Sequence, residues 1–289
     1  MRIVHAPAQL ERRPRAVALG TFDGVHRGHV AVVRALFDSG LEPTVITLDP
    51  HPRIALGNRV ELISTLERRL ELLAAMGVAE TLVAAFTPEF MRLKPTEFVA
   101  TYLHGIGAQA VAAGESFQFG HRREGSRQTL AAAGLDLLRV DQVPGVSSSA
   151  IREAVRRADL DAAAGMLGRP FELDGMVVAG DQRGGTLGYP TANIALGPEL
   201  VCPHFGIYAG AALGHRAAVS IGTNPHYGGT ERRIEPYLLD FEGDLYGKRL
   251  IVELWERLRD EQVFASEVEL VDQIARDVEA TRAAVRPVS

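Results

Sequence analysis

Near residue 168 this 289-residue chain changes rhythm, and that change constrains its fold more than any other feature. Upstream, short apolar runs take turns with helical segments. RAVALG (15–20), PTVITL (43–48), TLVAAF (81–86), QAVAAG (109–114) and LLRVDQV (137–143) read as strands. The clearest helix between them is STLERRLELLAAMG, in which Ser64 and Glu67 make a capping box, Leu66, Leu70 and Leu73 share a face, and Gly77 ends the run. Such alternation predicts a parallel sheet with helices on both faces. Downstream, GMVVAG, GIYAGAAL, RAAVSIG, EPYLLDF and KRLIVELWERL are short β-like runs broken by Gly and Pro, the texture of a small antiparallel barrel or sandwich. One helix closes the chain, with a Ser266/Glu269 capping box and an apolar stripe of Val271, Ile274 and Val278. Between the halves, SSSAIREAVRRADLDAAAGMLGRP reads as two short helices ending at Gly168 and Pro170. Two domains are therefore expected, residues 1–167 and 168–289, each of ordinary size.

Composition narrows the function classes. With 46% hydrophobic and 23% charged residues, each half has the material for a core of its own. A net charge of -5 provides no general attraction to nucleic acid. Cys202 is the single cysteine, so no internal disulfide or cysteine metal cage is possible, and it reads as a small packed thiol. No apolar run approaches the length of a membrane span, and the opening MRIVHAPAQLERRPR lacks the apolar core of a signal peptide. A cytoplasmic protein acting on small molecules is expected, without nucleic-acid or membrane partners. An oligomer is compatible with the sequence but not implied by it.

The stretch ALGTFDGVHRGHVAVV (18–33) lies where the first strong strand gives way to a helix. Free backbone N–H groups around residues 24–29 favour an anion at such a place. His26 and His29 flank that position as phosphate donors, and Gly20, Gly24 and Gly28 let the backbone come close to a ligand. The outline is that of a nucleotide α-phosphate site. On the residues alone the pair also fits two metal ligands, or polar side chains opening a helix.

In the second half, GDQRGGTLGYPTANI (180–194) is the densest collection of Gly and small polar residues. Thr191 and Asn193, two apart, put two oxygens on one side of an extended segment, a donor type that suits Mg2+ arriving on nucleotide phosphates. The same composition fits a plain loop. Glu235, in IEPYLLDF, reads on local grounds as an exposed strand residue paired with Arg232 or Arg233, while Pro236, lacking an N–H, predicts an edge or a bend.

Longer stretches carry a resemblance. GTFDGVHRGH resembles the HxGH signature of the nucleotidyltransferase superfamily, and with TLDPHP (47–52) and VSSSAIR (146–152) it is similar to the bacterial FMN adenylyltransferase branch. The resemblance implies a Rossmann-like α/β domain with His26, His29 and Arg152 in catalysis. It also implies ATP contacts at Gly20, Phe22, Asp23, Gly28, Ser147 and Ser148, and flavin contacts at Asp49, Ser116 and Phe117. A hydroxyl at Ser148 and a fixed cation at Arg152, at the start of a helix, suit a triphosphate chemically. Ser116 and Ser126 depart from the pattern, standing where such enzymes usually carry Asp or Asn.

Residues 168–285 resemble the bacterial riboflavin kinase domain through GRPFELDGMVVAGDQRGGTLGYPTANI, GIYAG, SIGTNPHYGGTERRIEPYLLDFEGDLYGKRL and LRDEQVFAS. That resemblance implies a small antiparallel β-barrel with a C-terminal helix. It assigns ATP contacts to Gly180, Gly188, Thr191 and Asn193, Mg2+ to the last two, a flavin contact to Phe264, and the role of base to Glu235. In sequence order the two halves resemble the bifunctional riboflavin kinase/FMN adenylyltransferase family. The implied activities are phosphorylation of riboflavin to FMN and adenylylation of FMN to FAD, both with ATP and Mg2+. The alternative is a riboflavin kinase whose first domain, altered at Ser116 and Ser126, only binds flavin or nucleotide.

Overall fold

The computed structural model of the chain describes residues 1–179, 188–223 and 232–287. The chain gathers into two compact units, Met1–Val60 with Leu66–Val146, and Glu61–Thr65 with Ser147–Ser289.

The first unit holds strands β1 (Arg2–Val4), β2 (Arg15–Leu19), β3 (Glu42–Asp49), β4 (Glu80–Ala85), β5 (Ala108–Ala112) and β6 (Asp136–Leu137). Its helices are α1 (Arg27–Phe37), α2 (Pro52–Ala55), α3 (Leu66–Ala75), α4 (Pro88–Arg92), α5 (Pro95–Phe98) and α6 (Arg127–Ala132). The strands form one parallel sheet in the order β1-β4-β3-β2-β5-β6. Side-chain alternation sorts β2 cleanly. Ala16 and Ala18 face a cluster with Val33, Leu36 and Leu73 from α1 and α3, while Val17 and Leu19 face Phe98, Leu103, Ile106 and Leu130 on the other side. Both faces are covered, which is why the central strands read as continuous apolar runs.

Two strands differ from expectation. Strand β1 is short and lies at the sheet edge beside β4, so its three residues produce almost no periodic signal. The run at 137–143 contributes only Asp136–Leu137 to the ladder: Leu138 still donates to the Val111 carbonyl at 2.9 Å, but β5 ends at Ala112 and the residues beyond have no neighbouring strand to pair with.

In the second unit β7 (Phe171–Val178), β8 (Asn193–Leu196), β9 (Gly206–Ala212), β10 (His215–Thr223), β11 (Arg232–Leu238) and β12 (Arg249–Arg259) form an antiparallel sheet in the order β11-β10-β9-β12-β7-β8. The Ala192 N–H donates to the Pro236 carbonyl at 3.0 Å, drawing the approach to β8 onto β11 and nearly closing a barrel. Because N and O of a strand residue point to the same side, the missing N–H of Pro236 falls on the β8 side, where the ladder is not continuous, as its place on a terminal strand requires. Tyr208, Val219, Ile221, Ile234, Val252 and Leu254 fill the interior. Helices α7 (Ser148–Arg156) and α8 (Leu160–Leu167) add Ile151, Val155, Leu160 and Leu167 to that same core. So does Ile63, from a segment whose Leu62 bridges Leu200. Helix α9 (Glu267–Ala283) lies on the outer face of the barrel, over Ala209 and Trp255 near its C-terminal end.

Candidate active sites

In the parallel sheet, β3 and β4 extend to one side of β2 and β5 and β6 to the other. The order reverses between β2 and β5, and ligands of such folds bind beyond the carboxyl ends of the strands at that point. The residues that follow β2 are those of the histidine stretch. The loop from Gly20 to His26 is held down by a Gly20 N–H to Ile46 carbonyl bond of 3.3 Å and by the Thr47 hydroxyl, which donates to the Thr21 carbonyl at 3.0 Å. Phe22 and Val25 adopt positive φ (51° and 39°), a strained state for residues with side chains that needs surrounding structure to enforce it. Phe22 and Asp23 are buried beneath the loop.

His26 caps α1: its Nδ1 accepts from the His29 N–H at 3.3 Å, which leaves Nε2 as the ring's donor in the neutral form. The His26 and His29 rings stack at 3.6 Å and 15°. Burial first, then His26 and then Arg69 push the His29 imidazole well below its ordinary value, so the stacked pair is not doubly charged. At Gly28 a Cβ would crowd the His26 ring at 3.1 Å, a contact the sequence did not reveal. A Cβ at Gly20 would likewise lie 3.2 Å from the Phe22 ring.

Of the other expected residues of this unit, Asp49 ends β3, next to β2 in the sheet. Ser116 is exposed in the turn after β5, and Phe117 stacks on Phe119 at 5.8 Å. Ser126 opens α6, its N–H bonded to the Thr129 hydroxyl at 3.1 Å and its own hydroxyl donating to Gln128 Oε1 at 2.8 Å. Sequence reasoning missed Arg69. It is 1% exposed on α3 and donates to the Thr47 hydroxyl and the Leu48 carbonyl at 3.4 and 3.3 Å. The signal was present: Arg69 lies three residues after Leu66 and four before Leu73, on the apolar face of its helix.

Ser147, Ser148 and Arg152 belong to the second unit. Ser147 is the α7 cap, accepting from the Ala150 N–H at 3.2 Å; Ser148 is the first helical residue, and Arg152 is buried one turn on.

The barrel carries a cavity of about 290 Å³ between its outer face and α9. Thr191, Glu235, Tyr237 and Phe264 line it, with Ser220 from β10 and Leu270 and Ile274 from α9. Glu235 faces Ser220 across the ladder, and its carboxylate lies 3.6 Å from the Arg233 guanidinium with about 30% of the side chain exposed. Thr191 reaches the same cavity because Ala192 is bonded to Pro236, the residue after Glu235. Asn193, half-buried, opens β8 opposite Val178 and is not part of the cavity wall. Gly188 is exposed with φ 85° and marks a turn; Gly180 lies outside the described residues. Sequence reasoning also missed a part-buried pair on the cavity wall, where Arg259 grips Asp277 with bonds of 2.8 and 2.7 Å and sets its guanidinium 5.9 Å from the Phe264 ring. Glu261, on the cavity wall, has its carboxyl raised by burial, an effect that Arg259 partly offsets.

Comparison with known proteins finds two successive family matches along the chain. Residues 8–153 match the FAD synthetase family and residues 167–285 the riboflavin kinase family. The chain is 35% identical over 288 residues to a bifunctional riboflavin kinase/FMN adenylyltransferase of Listeria monocytogenes, covering 93% of this chain and 92% of that protein. It is 35% identical over 297 residues to the protein of that name from Escherichia coli K12, covering 96% and 95%. Among solved structures, one titled a macrolide-efflux protein from Streptococcus pneumoniae superposes with a TM-score of 0.85 at 31% identity, covering 97% of this chain and 98% of that one. Among the described residues, no helix is long and apolar enough to cross a membrane.

Proposed function

Because the chain belongs to the bifunctional riboflavin kinase/FMN adenylyltransferase family, phosphorylating riboflavin to FMN and adenylylating FMN to FAD, we propose how its residues divide the two reactions. Riboflavin, FMN and ATP are its small-molecule substrates. We assign the first reaction to residues 168–289 and the second to a domain ending at 167.

In the kinase, the Glu235 carboxylate takes the proton of the ribityl 5′-hydroxyl as that oxygen bonds to the γ-phosphorus and the bond to the departing ADP breaks. The observation that carries this reading is that Glu235 and Thr191, far apart in sequence, line one cavity. The Arg233 guanidinium lies 3.6 Å from the Glu235 carboxylate and fixes its place on the cavity wall. Thr191 on the cavity wall and Asn193 at the start of β8, two residues on, are the hard oxygen donors that would hold Mg2+. When bound with ATP, the ion would neutralise phosphate charge. Phe264 and Tyr237 offer the apolar surface a flavin ring needs.

In the adenylyltransferase, a phosphate oxygen of FMN bonds to the α-phosphorus of ATP as the bond to pyrophosphate breaks. His26 and His29 donate to the α-phosphate oxygens, where negative charge grows. The start of α1 and the backbone around Gly28 receive the phosphates, with Gly20, Phe22 and Asp23 shaping the loop. Ser147, Ser148 and Arg152 are assigned to the triphosphate, Asp49, Ser116 and Phe117 to the flavin, and Gly180 and Gly188 to the nucleotide of the kinase. The demand of both reactions for ATP supports a cytoplasmic setting.

Two single substitutions test the assignment. Glu235→Gln is expected to abolish FMN formation from riboflavin, ATP and Mg2+ while leaving FAD formation from FMN intact. His29→Ala is expected to lower FAD formation by on the order of a hundredfold while the kinase persists. Equal loss of both activities in either variant would refute the division of labour, and unchanged riboflavin phosphorylation in Glu235→Gln would remove the base.

A further inference from the structure

Helix α3 buries one charged residue among its apolar ones. Arg69 is as buried as Leu73 on the same helix, its Nε has no hydrogen-bond partner among the described residues, and its Nη1 bonds are long. A guanidinium kept in such a place at the cost of desolvation needs a compensating role. Its surroundings indicate one. Thr47, to which it donates, donates in turn to the carbonyl of Thr21, the residue before Phe22 and Asp23. The carboxylates that favour its charge are those of Asp23, in the loop, and Asp49, at the end of β3.

We propose that Arg69 is a positioning residue for FMN adenylylation, bracing the loop between β2 and α1 through Thr47 and acting on the imidazole pair as a fixed buried cation. The proposal rests on the assignment of His26 and His29 to that reaction. The chain from Arg69 through the Thr47 hydroxyl to the Thr21 carbonyl ties α3, β3 and the loop together at the switch point of the sheet, and it holds Asp23 where no solvent reaches it. The groups acting on His29 are the stacked His26 ring from the loop, the Phe22 ring at 5.2 Å, and Arg69 from α3; Asp23 and Asp49 act in turn on Arg69. A cation beside a buried imidazole opposes its protonation, so Arg69 helps to keep His29 neutral. With His29 neutral, the rings stacked at 3.6 Å coexist without mutual charge repulsion, and their N–H groups are available to a polyanion.

The test uses the full chain with Arg69→Met, Arg69→Lys and Thr47→Val. It reads FAD formation from FMN, ATP and Mg2+, riboflavin phosphorylation on the same samples, and the titration of the His29 ring by NMR. Arg69→Met is expected to move the His29 titration to higher pH. Arg69→Lys and Thr47→Val, which keep the cation, should leave it near the wild-type position. All three should lose about ten- to a hundredfold in FAD formation as the loop loses its brace, with the kinase retained. An unchanged titration in Arg69→Met, or wild-type FAD formation in the variants, overturns the proposal. Should Arg69→Met fail to fold, wild-type FAD formation in both Arg69→Lys and Thr47→Val overturns it alone. If instead His29→Ala forms FAD at the wild-type rate, the assignment of the imidazoles falls rather than the role of Arg69.

Discussion

His29 shows how surroundings set the chemistry of a single residue. Its ring is stacked on His26, lies beside Phe22, and shares its neighbourhood with a buried arginine. The consequence extends to stability. With the folded-state value depressed below the ordinary 6.5, the unfolded chain binds a proton more readily than the folded one between those two values. Stability therefore rises with pH across that window and is lost as pH falls from about 6.5 toward the folded value. His29→Phe, which cannot titrate, is expected to flatten that part of the curve. Urea unfolding of both proteins across the window checks this, and parallel curves would show that the imidazole contributes nothing. Cys202 illustrates the opposite outcome: burial pushes its thiol up to about 11, so it is a packed side chain rather than a nucleophile, as its isolation in the sequence implied.

Among the elements, α9 departs most from a simple reading of its own sequence. The expected apolar stripe is real, with Ile274 on the cavity and Val278 buried, and Ser266 caps the helix by accepting from the Glu269 N–H. Yet the helix rests on the outside of the barrel, and polar contacts fasten its end. Arg216 donates from β10 to the carbonyls of Thr281 and Ala284 at 2.8 and 2.7 Å while lying 5.2 Å from the Trp255 ring, and Arg282 grips Asp240 with two bonds of 2.9 Å. The strands beneath must be thin enough to pack. At Gly210 in β9, a Cβ would stand 1.9 Å from the Glu253 carbonyl of β12, where the register between the two strands begins to shift. Gly210→Ala is expected to destabilise the barrel by roughly 3 kcal/mol, because backbone rather than a side chain must yield. Thermal unfolding would reveal it. A Tm equal to that of the wild type would mean the strands separate at no cost.

At the scale of the whole molecule, the division of labour and the division of packing fall at different places. The riboflavin kinase family match begins at residue 167, but the compact unit that contains it begins at Ser147 and also claims Glu61–Thr65. Leu62 bonds to Glu199 and Val201 with distances of 2.5 and 2.8 Å, and Thr65 donates to Asp174 at 2.5 Å, so this segment is knitted into the barrel unit. Burying Ile151, Val155, Leu160 and Leu167 is worth roughly 1.5–3 kcal/mol each, and together they rival the net stability of about 5–15 kcal/mol typical of a domain. A fragment of residues 168–289 is therefore expected to unfold or aggregate, whereas 147–289 should fold and phosphorylate riboflavin, though less stably than the full chain. Circular dichroism melts and kinase assays on the two fragments decide this; equal stability would show that α7 and α8 are dispensable to the barrel.

What the linear sequence determined by itself was periodic or contiguous. The alternation of strand and helix up to residue 158, the shift to broken β runs after 168, the stop glycine of α3 and the cap of α9 are all local signals, because apolar spacing and turn chemistry act over a few residues. The histidine loop was equally legible, since strand, glycines and imidazoles adjoin in the chain. Only the tertiary structure decided the rest. It brought Arg69 and Thr47 beneath the loop, set Glu235 beside Thr191 across a nearly closed barrel, coupled Arg259 to Asp277, and drew Leu62 into the second unit. Each of these depends on which segments meet when strands pair and faces are buried, a matter of long-range burial and hydrogen bonding that no short window of residues encodes.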